Sequence, residues 1–224
     1  MAAAAEGHQV LLDGRPVRTP ARRALAVPSA TLAAAVADEW RAQGETLQPA
    51  SMALTRLIST AIDRMPALRA AAIDEVLGYA ETDLLCYRAA APADLADRQQ
   101  QLWQPWLDWL ARSHGVELVV TTEMLPVPQP ETALARLRSS VEPLDDWRLV
   151  GLHAVTTALG SVVLGLALFE GEIDAEQAIA ASLLDEQFEI ERWGREREME
   201  RRHNALRYDV EAAARFLACL HVPA

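Results

Sequence analysis

LVGLHAVTTALGSVVLGLALF, Leu149 to Phe169, is the stretch on which the fold turns. It holds no Asp, Glu, Lys or Arg and is long enough to span a bilayer as one helix. A membrane span and the centre of a helical bundle both require a helix that is apolar all round. His153, Thr156, Thr157 and Ser161 dilute this one, no second such run exists, and its flanks carry no clear basic bias. The reading is therefore a buried central helix within a helical span Asp146–Phe169. Gly151, Gly160 and Gly165 then permit close approach by neighbouring helices, and His153 is expected to be a hydrogen-bonded core residue rather than a catalyst. A membrane-associated protein built on this run is the competing reading.

Outward from this run the C-terminal part reads as helix throughout: Glu131–Val141 before it, then Ala175–Arg202 with Asp174 as N-cap, and Ala205–Leu220. On the other side stands LPVPQP, Leu125–Pro130, whose three prolines can join neither a helix nor a central strand. It predicts a domain boundary, with residues 1–125 as one domain and 126–224 as the other.

The N-terminal part is mixed. VLLDGRPVRTP puts Asp13-Gly14 between two short extended runs, a hairpin signal. Arg23–Val27 is a candidate third strand. Ser29 is the expected N-cap of a helix lined by Leu32, Val36 and Trp40, with Gly44 as its C-terminal stop. Met52–Met65 is a second helix and Pro66 opens a third. Leu84–Tyr87 and Val116–Thr121 are strand candidates. Ala93–His114 is a long helix in which Pro105 predicts a kink or break. The expected fold class is α+β: a small N-terminal α/β domain with a β-hairpin and short sheet, followed by an all-helical C-terminal domain.

Composition excludes several functions. The net charge of −11 disfavours a nucleic-acid partner. All 21 basic residues are arginine, so neither Schiff-base chemistry nor a P-loop lysine is available. There is no GxGxxG, GxxxxGK[ST] or GxSxG motif. Cys86 and Cys219 match no zinc spacing and read as buried thiols in a reducing compartment. MAAAAEGH has no basic or amphipathic presequence character, so no targeting segment is expected. No cofactor and no metal are expected.

Candidate chemistry is sparse. Glu200-x-x-His203 is a lone ExxH motif in REREMERRH and reads as a solvated helix face. Trp103, Trp106 and Trp109 recur every third residue and are expected in the core, with an aromatic groove as the alternative. Glu81 and Asp83, in YAETDLLCYR, could serve as a carboxylate pair of a small-molecule enzyme in an interdomain cleft. The simpler reading is that they cap the third helix and the following turn.

LLDEQFEIERWGRE, Leu183–Glu196, is the stretch that does not read as ordinary scaffold. Leu183, Leu184, Phe188 and Ile190 form an apolar arc. Asp185, Glu189 and Glu196 fall on the far side, and Trp193 lands among them. An aromatic anchor in an acidic face suits a partner-binding surface. The alternative is that Trp193 packs on a neighbouring helix.

Several blocks together resemble a known family. DGRPVRTP, LAVPSATLAAAVADEW, MALTRL with the IDR of Ile62–Arg64, YAETDLLCYR, QLWQPWLDW and LLDEQFEIERWG occur in the order found in the assembly chaperones of the F-type ATP synthase catalytic head that bind its free α subunit. The chain departs from the family at Ala53, where proline is usual, and at Phe188-Glu189, where tyrosine-glutamine is usual. The resemblance implies an ATP-independent chaperone, and not an enzyme, that keeps the unassembled α subunit from aggregating and hands it on to β. It also implies an important acidic residue in the last block, assigned to Glu186 first, with Asp185, one position earlier in register, as the fallback. The expected partner-binding residues are thus Glu186, Trp193, Asp185 and Glu189. A monomer without stable membrane insertion is expected, in the cytoplasm of a bacterium or the equivalent mitochondrial matrix of a eukaryote.

Overall fold

The computed structural model describes residues 2–4, 7–123, 125–194 and 196–220. Among them are five short strands, β1 (Ala2–Ala4), β2 (Gly7–Gln9), β3 (Leu11–Leu12), β4 (Arg15–Pro16) and β5 (Ala26–Val27). β3 and β4 pair antiparallel with Leu12 opposite Arg15, leaving Asp13 and Gly14 as the turn. Their φ angles of 50° and 77° are the left-handed values that a type I′ hairpin requires. β1, β2 and β5 form a separate antiparallel sheet in that order.

The helices are α1 (Ala30–Arg41), α2 (Ala53–Asp63), α3 (Met65–Glu81), α4 (Ala93–His114), α5 (Glu131–Val141), α6 (Asp146–Leu159), α7 (Val162–Phe169), α8 (Ala175–Ser182), α9 (Leu184–Trp193) and α10 (Arg197–Leu220). The fold is α+β, with the strands confined to the start of the chain. Ser29 caps α1 by accepting from Leu32 N at 3.0 Å. Asp174 and Gln177 form a complete capping box on α8. α1 stops at Ala42, and Gly44 does not take the left-handed conformation expected of a C-terminal stop. The first turn of α2 is capped from α1, because Glu39 accepts from Leu54 N at 2.9 Å, Thr55 N at 2.8 Å and Thr55 Oγ1 at 2.6 Å.

The decisive run Leu149–Phe169 is buried and central, but it is two helices rather than one. Gly160, at φ 67°, ends α6 in the left-handed region, and Ser161 restarts the chain as N-cap of α7 with its Oγ accepting from Leu164 N at 3.1 Å. The chain folds back so closely that a Cβ on Gly165 would lie 2.3 Å from Thr156 Oγ1. Gly151 likewise admits Leu217 of α10, whose Cδ2 would meet an added Cβ at 2.3 Å. No helix among the described residues is long and apolar enough to cross a membrane.

α6 packs on α3, α7 and α10, and α10 packs back on α1 and α2. Helices from both sides of Leu125–Pro130 therefore share one buried cluster that runs from Val10 to Cys219. LPVPQP itself has no helix or strand.

Four further expectations are corrected. Leu84–Cys86 is a 3₁₀ turn and not a strand, because Asp83 accepts from Leu85 N and curls the backbone. Val116–Thr121 makes one parallel bridge, Tyr87 to Thr121, instead of a strand. The Gln129 side chain takes the place of a strand partner, accepting from Val119 N at 2.7 Å and donating to Val119 O at 3.1 Å. The break offered as one outcome at Pro105 does not occur: α4 is one helix through it, and the buried Trp103, Leu107, Trp109 and Leu110 hold it across the missing hydrogen bond. The span Ala175–Arg202 is likewise interrupted, after Ser182 and at Gly194, while Arg202–Ala205 lies inside continuous α10.

Candidate functional site

α9 is bounded by two interruptions. Leu183, at φ −95° and ψ 11°, separates it from α8. Gly194, at φ 88° and ψ 171°, ends it in a conformation open almost only to glycine. Of its apolar arc only Phe188 is fully buried, while Leu183, Leu184 and Ile190 are half-buried. α9 is therefore a weakly hydrophobic helix, and its polar contacts have more to do than in the core helices.

Those contacts run to two neighbours. Toward α4, Arg98 pairs with Glu191 at 2.8 Å, Asp94 with Arg192 at 2.8 Å, and Gln99 donates to Asp185 at 2.8 Å. The guanidinium groups of Arg192 and Arg98 lie over the Phe188 ring, 4.3 Å and 5.2 Å from its centroid. Gln99 is itself buried, and its other end accepts from Ala89 N at 2.7 Å. Toward α10, Glu186 receives Arg202 at one oxygen and His203 Nε2 at the other, each at 2.5 Å.

The electrostatics follow from these placements. Burial pushes the Asp185 carboxyl above its usual range against the hydrogen bond from Gln99, and the nearby Glu189 and Glu186 add to the rise. Partial burial also acts to raise Glu186, but hydrogen bonds and charge from Arg202 and His203 outweigh it and hold its carboxyl below the usual range. The Arg202 guanidinium is raised by the same pairing.

Trp193 stands alone in this company. It is 86% exposed at the end of α9, the largest exposure among the large hydrophobic side chains described. It does not pack on a neighbouring helix. Glu189, one turn earlier, is exposed as well. Of the four expected partner-binding residues, the structure presents Trp193 and Glu189 to solvent, and it turns Asp185 to α4 and Glu186 to α10. The wheel had set Asp185 on the solvated side; Gln99 draws it inward. Nothing in the sequence announced Gln99, Arg98, Asp94 or His203 as neighbours of α9, because each contact spans 17 residues or more.

The other candidates are structural. Asp83 is fully buried and accepts from Leu85 N at 3.0 Å, Val163 N at 3.2 Å and Ser161 Oγ at 2.9 Å. Burial pushes its carboxyl up to about 6 against these hydrogen bonds. Glu81 is exposed and lines a groove with Asp74, Leu77 and Arg138 that Asp83 does not reach. The two form no carboxylate pair. Trp103 is fully buried with Nε1 donating to Ala181 O at 2.8 Å, Trp109 is buried and Trp106 half-buried, as core packing requires. His153 is half-buried rather than core, and bonds Glu75 at 2.9 Å. His203, read as part of a solvated face, is only 16% exposed at its side chain and is committed to Glu186. No cluster of three or more His, Cys, Asp or Glu able to hold a metal occurs among the described residues.

Residues 1–111 match the family model described as ATP12 chaperone protein. The mitochondrial protein atp12 of Schizosaccharomyces pombe is 23% identical over 197 residues, which are 83% of this chain and 68% of that one. Among solved structures, Atp12 from Paracoccus denitrificans superposes with a TM-score of 0.92 at 39% identity, covering 97% of this chain and 94% of that one. The Atu1473 protein of Agrobacterium tumefaciens gives 0.93 at 38% identity, covering 98% and 82%.

Proposed function

The chain belongs to the ATP12 chaperone family, and from that premise we propose that it is an ATP synthase assembly chaperone that binds the unassembled α subunit of the catalytic head without using ATP. An α subunit without its β neighbours exposes an interface that is covered in the finished enzyme, and such surfaces aggregate. A protein that covers part of this interface lowers the free concentration of the aggregating species by mass action. It must also leave when β arrives, which favours a mixed polar and apolar contact over a core-like one.

The observation that carries the reading is Trp193. An indole 86% exposed on a helix end has no role in the fold, whereas tryptophan is among the side chains that dominate binding energy at interfaces. Glu189 beside it supplies charge for orientation and faster encounter. Handover to β follows from competition for the same surface. The protein works as a monomer in the bacterial cytoplasm, or in the matrix where a mitochondrion is the host.

Light scattering of isolated α subunit diluted from denaturant, with β subunit as control substrate, tests the proposal. Suppression for α and not for β is expected. Equal suppression of both would make the protein a general holdase, and suppression of neither would refute the proposal.

A further inference from the structure

We propose that the loop of residues 18–23, which carries Arg18, Arg22 and Arg23 beside Arg64, is a second contact with the unassembled α subunit and takes a carboxylate-rich segment of it. This rests on the function proposed above, and it adds to the Trp193 contact a site of opposite charge. The stretches RTPARR, from Arg18, and IDR, from Ile62, meet here through hydrogen bonds that span 42 and 44 residues of sequence.

The loop is braced on several sides. Arg18 and Ala24 bridge its two ends. Within it, Thr19 N donates to Arg23 O at 2.9 Å and Arg22 N to Thr19 O at 2.8 Å. Asp63, the last residue of α2, accepts from Thr19 Oγ1 at 2.8 Å with one oxygen and from Ala21 N at 3.0 Å with the other. Arg22 lies at φ 65°, in the left-handed position of such a loop that favours glycine. An arginine there strains the backbone, and its guanidinium bonds nothing among the described residues.

The positive charge is uncompensated. Arg18, Arg22, Arg23 and Arg64 are all exposed, and none forms an ion pair among the described residues. Arg18 donates to Arg22 O at 2.9 Å and Arg23 to Ile62 O at 2.6 Å. These carbonyls orient the two guanidinium groups without neutralising them, and each keeps donors free for a carboxylate. The four arginines belong to a chain whose net charge is −11. Its acidic remainder repels an extended polyanion or an anionic bilayer, which leaves a short acidic segment of a protein as the ligand that fits. A basic loop and an acidic face bearing Trp193 on one protein also specify the orientation of the partner.

The test is the rate of association with isolated ATP synthase α subunit at low and at high salt. Arg22→Gly with Arg64→Gln removes two charges and no hydrogen bond of the brace, and glycine accepts the left-handed conformation. Circular dichroism and melting temperature should therefore match the parent protein. Association should slow about tenfold at low salt, with dissociation changed less than about twofold and the difference lost at high salt. Arg22→Lys with Arg64→Lys should recover the rate to within about threefold, because it restores the charge. An unchanged rate in the Gly/Gln variant, or a loss that persists at high salt, would overturn the proposal. Phosphatidylglycerol vesicles that bind the parent and not the variant, with α-subunit association unaltered, would overturn it too and make the loop a membrane contact. Failure of the parent protein to bind the α subunit at all would refute the proposed function, and this inference with it.

Discussion

Asp83 is a fully buried carboxylate raised to about 6 from an ordinary value of 3.8, and this predicts a distinctive dependence of stability on pH. Desolvation is the first cause, opposed by the donors Leu85 N, Ser161 Oγ and Val163 N. An acid whose pKa is higher folded than unfolded binds its proton more tightly when folded. Its contribution is therefore fully present below 3.8 and is lost as pH rises through about 6. Integrating between those values, ionisation of Asp83 lowers stability by about 2 kcal/mol between about pH 4.5 and 7.5. Asp83→Asn removes the titration while keeping one acceptor oxygen for Leu85 N and Ser161. The amide leaves Val163 N without an acceptor, a loss of about 1–3 kcal/mol that does not vary with pH. Urea unfolding of both proteins across this pH range isolates the difference, because every other group titrates alike in the two. The variant should gain about 2 kcal/mol on the parent protein as pH rises. A difference that stays flat would refute the reasoning and show that the three donors keep Asp83 ionised at an ordinary pKa.

Other substitutions follow from the same contacts. Trp193→Ala should leave the melting temperature unchanged, since the side chain packs on little, and should weaken α-subunit binding by about 2 kcal/mol or more, roughly thirtyfold, in a direct titration. Glu39→Ala removes the cap that α1 lends to α2 and should destabilise by about 1–2 kcal/mol in chemical denaturation, with the loss reporting three missing hydrogen bonds rather than a cavity. Gly151→Ala forces its new Cβ onto Leu217 and should lower stability by about 1–3 kcal/mol; unaltered stability would mean that α10 can slide away from α6.

What the sequence by itself determined is what rests on neighbours within a few positions. Asp13-Gly14 can take two left-handed residues in succession, so the hairpin was legible. Ser29 and Asp174 reach backbone amides three residues on, so their caps were legible too. The apolar run after Leu149 could be placed at the centre because nothing else in the chain could fill one. The acidic face bearing Trp193 was visible from helical periodicity, and the order of motif blocks pointed to the family.

Tertiary structure decided what depends on partners far along the chain. A glycine and a serine within an apolar run are compatible with a continuous helix; the break at Gly160–Ser161 holds because Asp83, remote in sequence, receives Ser161 and Val163 N in the core. A β-branched run after Gly115 reads as a strand, but the Gln129 side chain satisfies Val119 in place of a ladder. The helix wheel gives the faces of α9 without saying what covers them. Arg98 and Gln99 of α4 and His203 of α10 decide that Asp185 and Glu186 turn inward and that Trp193 is left in solvent. Local periodicity sets which side chains share a face, and long-range packing alone selects which of those faces stays open to a partner.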